Sequence, residues 1–136
     1  MIVILISRKT DYTLRGLLYL LKQNDDKIVP SSEICKKMRI PSVFWAKIVQ
    51  TLARKKIIES KKGKSGGIRI LKKDASLGDI VSIMEPGLAL NKCLRPKQGC
   101  FLKSACPIHK ILADLDQQLK IKLSSVALSG LAHGTN

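Results

Sequence analysis

The spacing of apolar residues leaves the helical period for one short stretch of this chain, and that interruption limits the fold more than any other feature. Up to about residue 55 the apolar positions recur at helical intervals: Leu14, Leu17, Leu18 and Leu21 in one stretch, Trp45, Ile48, Val49 and Leu52 in another. Each set falls at i, i+3, i+4 and i+7, the stripe of a helix packed on one side. Beyond them, Ile57-Ile58-Glu59-Ser60 and Ile68-Arg69-Ile70-Leu71 read as two short strands around Lys61-Lys62-Gly63-Lys64-Ser65-Gly66-Gly67. Gly63, Gly66 and Gly67 permit a tight backbone in that turn, and Lys61, Lys62 and Lys64 project from it. Short helices followed by a two-stranded hairpin predict a winged helix-turn-helix, mainly α with a small β-hairpin.

The pattern predicts a first helix from about Arg8 to Gln23, preceded by an apolar start, Met1 to Ile6, that reads as a short strand. Ser31 or Ser32 is expected to cap a second helix, with Glu33 in its first turn. Pro41 should end that helix and open the third, which runs to about Lys55. A fourth, from Leu77 to Glu85, follows a Ser76/Asp79 capping box. Residues 88 to 105 read as irregular. A long helix is expected from Cys106-Pro107 to about Val126, with Ile108, Ile111, Leu112, Leu115, Leu119, Leu123 and Val126 on a broad apolar face, and a frayed end from Ser129 to Asn136. The organisation expected is a winged-helix DNA-binding part over 1–87, a cysteine-containing loop over 88–106, and a helix with its tail over 107–136, compatible with a length of 136 residues.

Charge says what this chain meets. Lys+Arg number 25 against Asp+Glu 10, a formal +15, which suits a polyanionic partner. Residues 54 to 73 alone carry nine cations and one acid, Glu59, on the end of the third helix and on the hairpin. A helix fits the major groove of B-DNA and a hairpin can enter the neighbouring minor groove. The third helix turns Ser42, Val43, Ala46, Lys47, Gln50 and Arg54 away from its apolar stripe, and the small side chains near its start allow close approach to another surface. Double-stranded DNA is therefore the expected partner. No apolar run approaches the ~18 residues of a membrane span, and no secretory signal is visible, so a cytoplasmic location and no membrane role are expected. Two histidines, few acids and no phosphate loop give no catalytic constellation, and no enzyme is expected.

Cys93, Cys100 and Cys106 are spaced C-x6-C-x5-C, with His109 three residues after the last. Structural zinc sites usually contain a tight C-x2-4-C knuckle, and this spacing lacks one. A wide loop suits either an iron–sulfur cluster held by thiolates or three free thiols. Cys106 precedes a helix N-terminus, where the dipole favours a thiolate. Cys35 lies in the apolar register of the second helix beside Ile34 and Met38 and is assigned to packing.

Taken in order, Thr10-Asp11-Tyr12-Thr13-Leu14-Arg15, Ile40-Pro41-Ser42, the turn Lys62-Gly63-Lys64-Ser65-Gly66-Gly67-Ile68-Arg69, Leu77-Gly78-Asp79-Ile80-Val81 and the cysteine loop resemble the Rrf-two-type family of bacterial transcription regulators. The likeness spans about residues 5 to 125. It implies a homodimer crossing through the long C-terminal helix, with Ile108, Leu112, Leu115, Leu119, Leu123 and Val126 at the interface. It implies a palindromic operator read by Ser42, Val43, Lys47, Gln50, Lys61, Lys62, Lys64 and Arg69, with Gly63, Gly66 and Gly67 shaping the wing. Cluster-binding members use three cysteines in this loop, so Cys93, Cys100 and Cys106 become expected ligands of a 4Fe–4S or 2Fe–2S cluster. Asp11 of the partner subunit matches the fourth ligand of the nitric-oxide-sensing members, and His109 matches that of the cluster-assembly regulators. The loop is one residue longer between its first two cysteines than in the latter, and Lys47 also favours the nitric-oxide-sensing branch. The expected function is a repressor whose operator affinity follows a cluster sensing nitric oxide, redox state or iron–sulfur status. The alternative is a clusterless thiol-switch or zinc-stabilised regulator on the same fold.

Overall fold

The computed structural model describes residues 6–24, 26–102 and 105–132. The strand expected over Met1 to Ile6 falls almost wholly outside them. Helix α1 (Arg8–Leu21) begins where the Ser7 side chain accepts the Thr10 backbone N–H at 3.3 Å, relieving one of the unpaired amides of the first turn. Its inner face, Leu17, Leu20 and Leu21, is buried, and α1 packs against the helices and strand that follow.

Helix α2 (Ser31–Met38) departs from expectation at its start. Pro30, not a serine, holds the N-cap position with no side-chain cap; its carbonyl accepts the N–H groups of Glu33 and Ile34. Ser31 is thereby inside the first turn, and its hydroxyl accepts the indole N–H of Trp45 at 3.3 Å instead. The helix stops before Pro41 is reached: Arg39 turns left-handed at φ 55°, and Ile40 N–H closes onto the Cys35 carbonyl at 2.9 Å. Helix α3 (Ser42–Arg54) then buries Trp45, Ile48 and Leu52, as its spacing requires.

Strands β1 (Ile58–Lys61) and β2 (Gly67–Ile70) pair antiparallel, Ile58 opposite Ile70 and Lys61 opposite Gly67. Val29 and Ile68 exchange both backbone hydrogen bonds, 2.9 and 2.7 Å, so the segment before α2 docks on the hairpin. A side chain at Gly67 would run into the Val29 carbonyl, which makes glycine a requirement of that close approach.

Helix α4 (Leu77–Met84) carries the expected capping box, Ser76 and Asp79 each bonded to the other's backbone N–H. A short 3-10 turn covers Lys92–Leu94, and α5 (Pro107–Ser124) packs on it and on α4. The chain then turns back. Leu77 N–H reaches the Val126 carbonyl at 2.7 Å, Leu128 N–H reaches Ala75 at 2.9 Å, and a last turn of helix, α6 (Leu128–Leu131), follows. Leu128 is fully buried in the same core as Leu17, Trp45 and Ile80. The fraying expected from Ser129 is thus corrected as far as Leu131: a buried leucine and two backbone ties hold this segment down. Residues 133–136 lie outside the described part.

Candidate nucleic-acid interface and cysteine site

Helices α2 and α3, joined through Arg39-Ile40-Pro41, form a helix-turn-helix. Because Trp45, Ile48 and Leu52 point inward, Ser42, Val43, Lys47 and Gln50 all stand exposed on the opposite face of α3. Phe44, also partly exposed, packs edge-on against Tyr12 of α1, ring centroids 5.4 Å apart at 68°. Arg15 and Arg8 lie over the same tyrosine ring at 5.2 and 5.9 Å. The start of α3 is therefore carried on the start of α1. Sequence reasoning missed this aromatic contact; the only trace of it was two aromatic residues in a chain that has few.

Lys61, Lys62 and Lys64 are exposed at the end of the hairpin. Gly63 turns at φ 104° and accepts the Gly66 N–H at 3.0 Å, and a Cβ on Gly66 would collide with the Lys61–Lys62 backbone. Those two glycines bend the backbone so that the lysines project. Arg69 is placed differently from them. Its Nε donates to Glu59 at 2.6 Å across the strand pair, and its Nη1 meets Asp26 at 3.3 Å. Two carboxylates occupy the guanidinium, so Arg69 braces the hairpin against the turn before α2.

The cysteine loop folds onto the start of α5. Cys93 sits in the 3-10 turn, where Asn91 caps Lys92 and directs its amide at the Cys93 sulfur, 3.6 Å away. Cys106 is the N-cap of α5, its sulfur accepting the His109 N–H at 3.4 Å. His109 Nδ1 in turn lies 3.3 Å from Cys93 Sγ. Cys93 and Cys106, thirteen positions apart in the chain, thus each touch His109, Cys93 at the ring and Cys106 at the backbone N–H. Cys100 is a half-buried free thiol in the same loop, and among the described residues no three His, Cys, Asp or Glu side chains gather as a metal site.

Asp11 is half-exposed on α1 and forms a 2.7 Å ion pair with Arg15 one turn on. It lines a shallow hollow with Ile6, Ser7, Arg8 and Leu14. Cys35 packs against the core, and burial pushes its thiol up from the ordinary range. That packing is what its helical register indicated. On α5, Leu112, Leu119, Leu123 and the following Val126 are half-buried against their own chain, whereas Ile108, Ile111 and Leu115 are exposed.

A helix-turn-helix with an open recognition face, followed by a lysine-tipped hairpin, defines a winged-helix regulator of transcription. The chain belongs to the Rrf2 family, whose model, described as an iron-dependent transcriptional regulator, matches residues 6–134. It is 34% identical over 106 residues to the HTH-type transcriptional regulator NsrR of Shouchella clausii, covering 76% of this chain and 71% of that protein. In fold it is similar to CymR (YrzC), the global cysteine regulator of B. subtilis, with a TM-score of 0.78, 20% identity and all of both chains covered. It is also similar to IscR of T. potens, with a TM-score of 0.74, 15% identity and coverage of 94% of this chain and 85% of that one. In sequence it stands nearer that NsrR than either of those two structures. The chain is accordingly a transcriptional regulator and not an enzyme. Among the described residues no helix is long and apolar enough to cross a membrane.

Proposed function

We propose that this protein is a homodimeric cytoplasmic repressor that binds a palindromic operator, and that an iron–sulfur cluster on Cys93, Cys100 and Cys106 controls that binding. In this reading residues 1–87 grip the DNA, 88–106 hold the cluster and 107–136 pair the subunits, with α6 also packed back into the first part. The observation that carries it is that Cys106 caps the positively polarised end of α5 while Cys93 lies against the ring of His109 in the first turn of that helix. Soft sulfur donors at such an end suit an anionic iron–sulfur group, which would supply redox and nitric-oxide reactivity. The likeness to an NsrR supports the same assignment.

Ser42, Val43, Lys47 and Gln50 would read base edges and phosphates in the major groove. Lys61, Lys62 and Lys64 would hold phosphate beside the minor groove. Arg69 contributes by keeping the wing in place, with contacts to DNA secondary to its two carboxylates. The fourth cluster ligand is assigned to Asp11 of the partner subunit, which would have to leave Arg15 to serve. His109 is the alternative, supported by its 3.3 Å approach to Cys93.

A clusterless thiol switch is the second reading. It is favoured by the absence of a three-donor group among the described residues and by the similarity in fold to the oxidised form of CymR from Staphylococcus aureus. Anaerobic purification with an absorption spectrum and iron and sulfide quantification separates the two. The cluster reading expects a coloured protein that bleaches with nitric oxide or oxygen, and a colourless Cys100→Ala variant. Asp11→Ala should keep an altered, more labile chromophore and lose the cluster-dependent change in operator affinity, with His109→Ala near wild type. The reverse pattern moves the ligand to His109. A colourless wild type whose DNA binding follows thiol reductants establishes the thiol switch.

A further inference from the structure

Glu85 closes α4 and leads directly through Pro86 and Gly87 into the cysteine loop. Its Oε1 accepts two hydrogen bonds from the far end of the sequence: the Ser7 backbone N–H at 2.7 Å and the Thr10 hydroxyl at 2.6 Å. Thr10 is fully buried, and Ser7 is the N-cap of α1. A carboxylate at the root of the cysteine loop therefore occupies the N-terminus of α1, where free amides and the helix dipole favour an anion. Burial pushes its carboxyl up, but the hydrogen bonds from Ser7 and Thr10 and the nearby Lys9 charge outweigh this and hold it below the usual carboxylate range. It is charged at neutral pH.

What α1 does next gives the contact its meaning. One residue beyond Thr10 is Asp11; Tyr12 packs edge-on against Phe44 of α3; Arg15 donates to the Met38 carbonyl at the end of α2, at 3.4 Å. Gly87, two residues past Glu85, takes a left-handed φ of 78°, Leu88 N–H closes onto the Glu85 carbonyl at 3.1 Å, and Leu90 N–H is held by Asp116 of α5 at 3.0 Å, so the loop leaves Glu85 along a fixed path onto α5. The Glu85 bonds join the loop's base to the helix that supports the recognition helix.

We propose that Glu85 is a positioning residue that couples the cysteine loop to the DNA-reading face within one subunit, by holding the loop's root to the N-terminus of α1. The proposal rests on the reading that the loop's state controls operator binding, but it does not require a cluster. Coupling between two sites is reciprocal, so operator DNA must change the behaviour of the loop if the loop changes operator affinity.

The test is the rate of alkylation of Cys93 and Cys100 in reduced, cluster-free protein, mapped by mass spectrometry, with and without saturating operator DNA. Wild type should show a change of about 5-fold or more, the lower end of coupled sites. In Glu85→Ala the change should shrink to within about 2-fold while the variant stays folded and still binds DNA. Glu85→Gln, which keeps a carbonyl acceptor, should restore most of it. Thr10→Val removes one donor without changing the side chain's shape, and should give an intermediate value whether or not Glu85→Ala folds. A Glu85→Ala protein, or failing that a Thr10→Val protein, with the full wild-type change overturns the proposal. So does a wild type whose loop ignores DNA. If labelling responds as expected and the protein nevertheless loads no cluster, the cluster assignment fails alone and Glu85 keeps its role.

Discussion

Gly16 has no side chain, and the buried indole of Trp45 lies against the space a Cβ would take. Alanine in mid-helix normally gains roughly 1 kcal/mol over glycine. Here the added methyl would drive into a ring that is itself packed among Leu17, Ile34 and Ile48 and hydrogen-bonded to Ser31. Overpacking of that kind costs about 1–3 kcal/mol, so the collision should win. Gly16→Ala is expected to lower the urea midpoint with an unchanged slope; a midpoint raised by the helix-propensity gain would show that Trp45 can move aside.

At the scale of elements, the wing divides its labour between residues of one charge. Lys62 and Lys64 stand exposed on the turn, whereas Arg69 is paired with Glu59 and Asp26. Replacing Lys62 and Lys64 together by alanine should weaken operator and non-specific DNA alike. The slope of log K against log salt should fall in magnitude by about 0.9 for each phosphate that the wing no longer neutralises. Unchanged binding at moderate salt would remove the wing from the interface. Arg69 belongs to a different experiment, since its replacement frees two carboxylates beside the DNA face and loosens the hairpin itself.

For the whole molecule, the unfinished feature is the outer side of α5. Ile108, Ile111 and Leu115 remain 64%, 61% and 47% exposed, and Phe101 in the cysteine loop is 94% exposed. In the proposed dimer this apolar surface is the face that the partner subunit covers. Leu112, Leu119 and Leu123 are half-covered by their own subunit, so the exposed Leu115 is the better position to test. Leu115→Glu should therefore yield a folded monomer by light scattering, with normal dichroism and no binding to a palindromic site. A wild type that is monomeric at roughly micromolar concentration would contradict the dimer, because an apolar interface of standard size holds at that level.

The sequence by itself determined the elements. Helical stripes, the switch to strand spacing, the Ser76/Asp79 box and the glycine–lysine turn are all local patterns, and local backbone preferences and one-sided burial act over the same few residues that carry them. It also delimited the exposed side of α3, because whatever the stripe buries leaves its opposite face outward. Only the tertiary structure decided the rest, and in each case the reason is a contact between residues far apart in the chain. Pro30 displaced the serine caps because Ser31 serves Trp45. Arg69 gained its ion pair to Asp26 because that carboxylate arrives from the turn before α2. The tail became α6 because Leu128 fills the core beneath α1. Cys93 reached the ring of His109, and Glu85 met Ser7 and Thr10, through folding that no spacing encodes; a side chain's partner across tens of residues depends on how the whole chain packs.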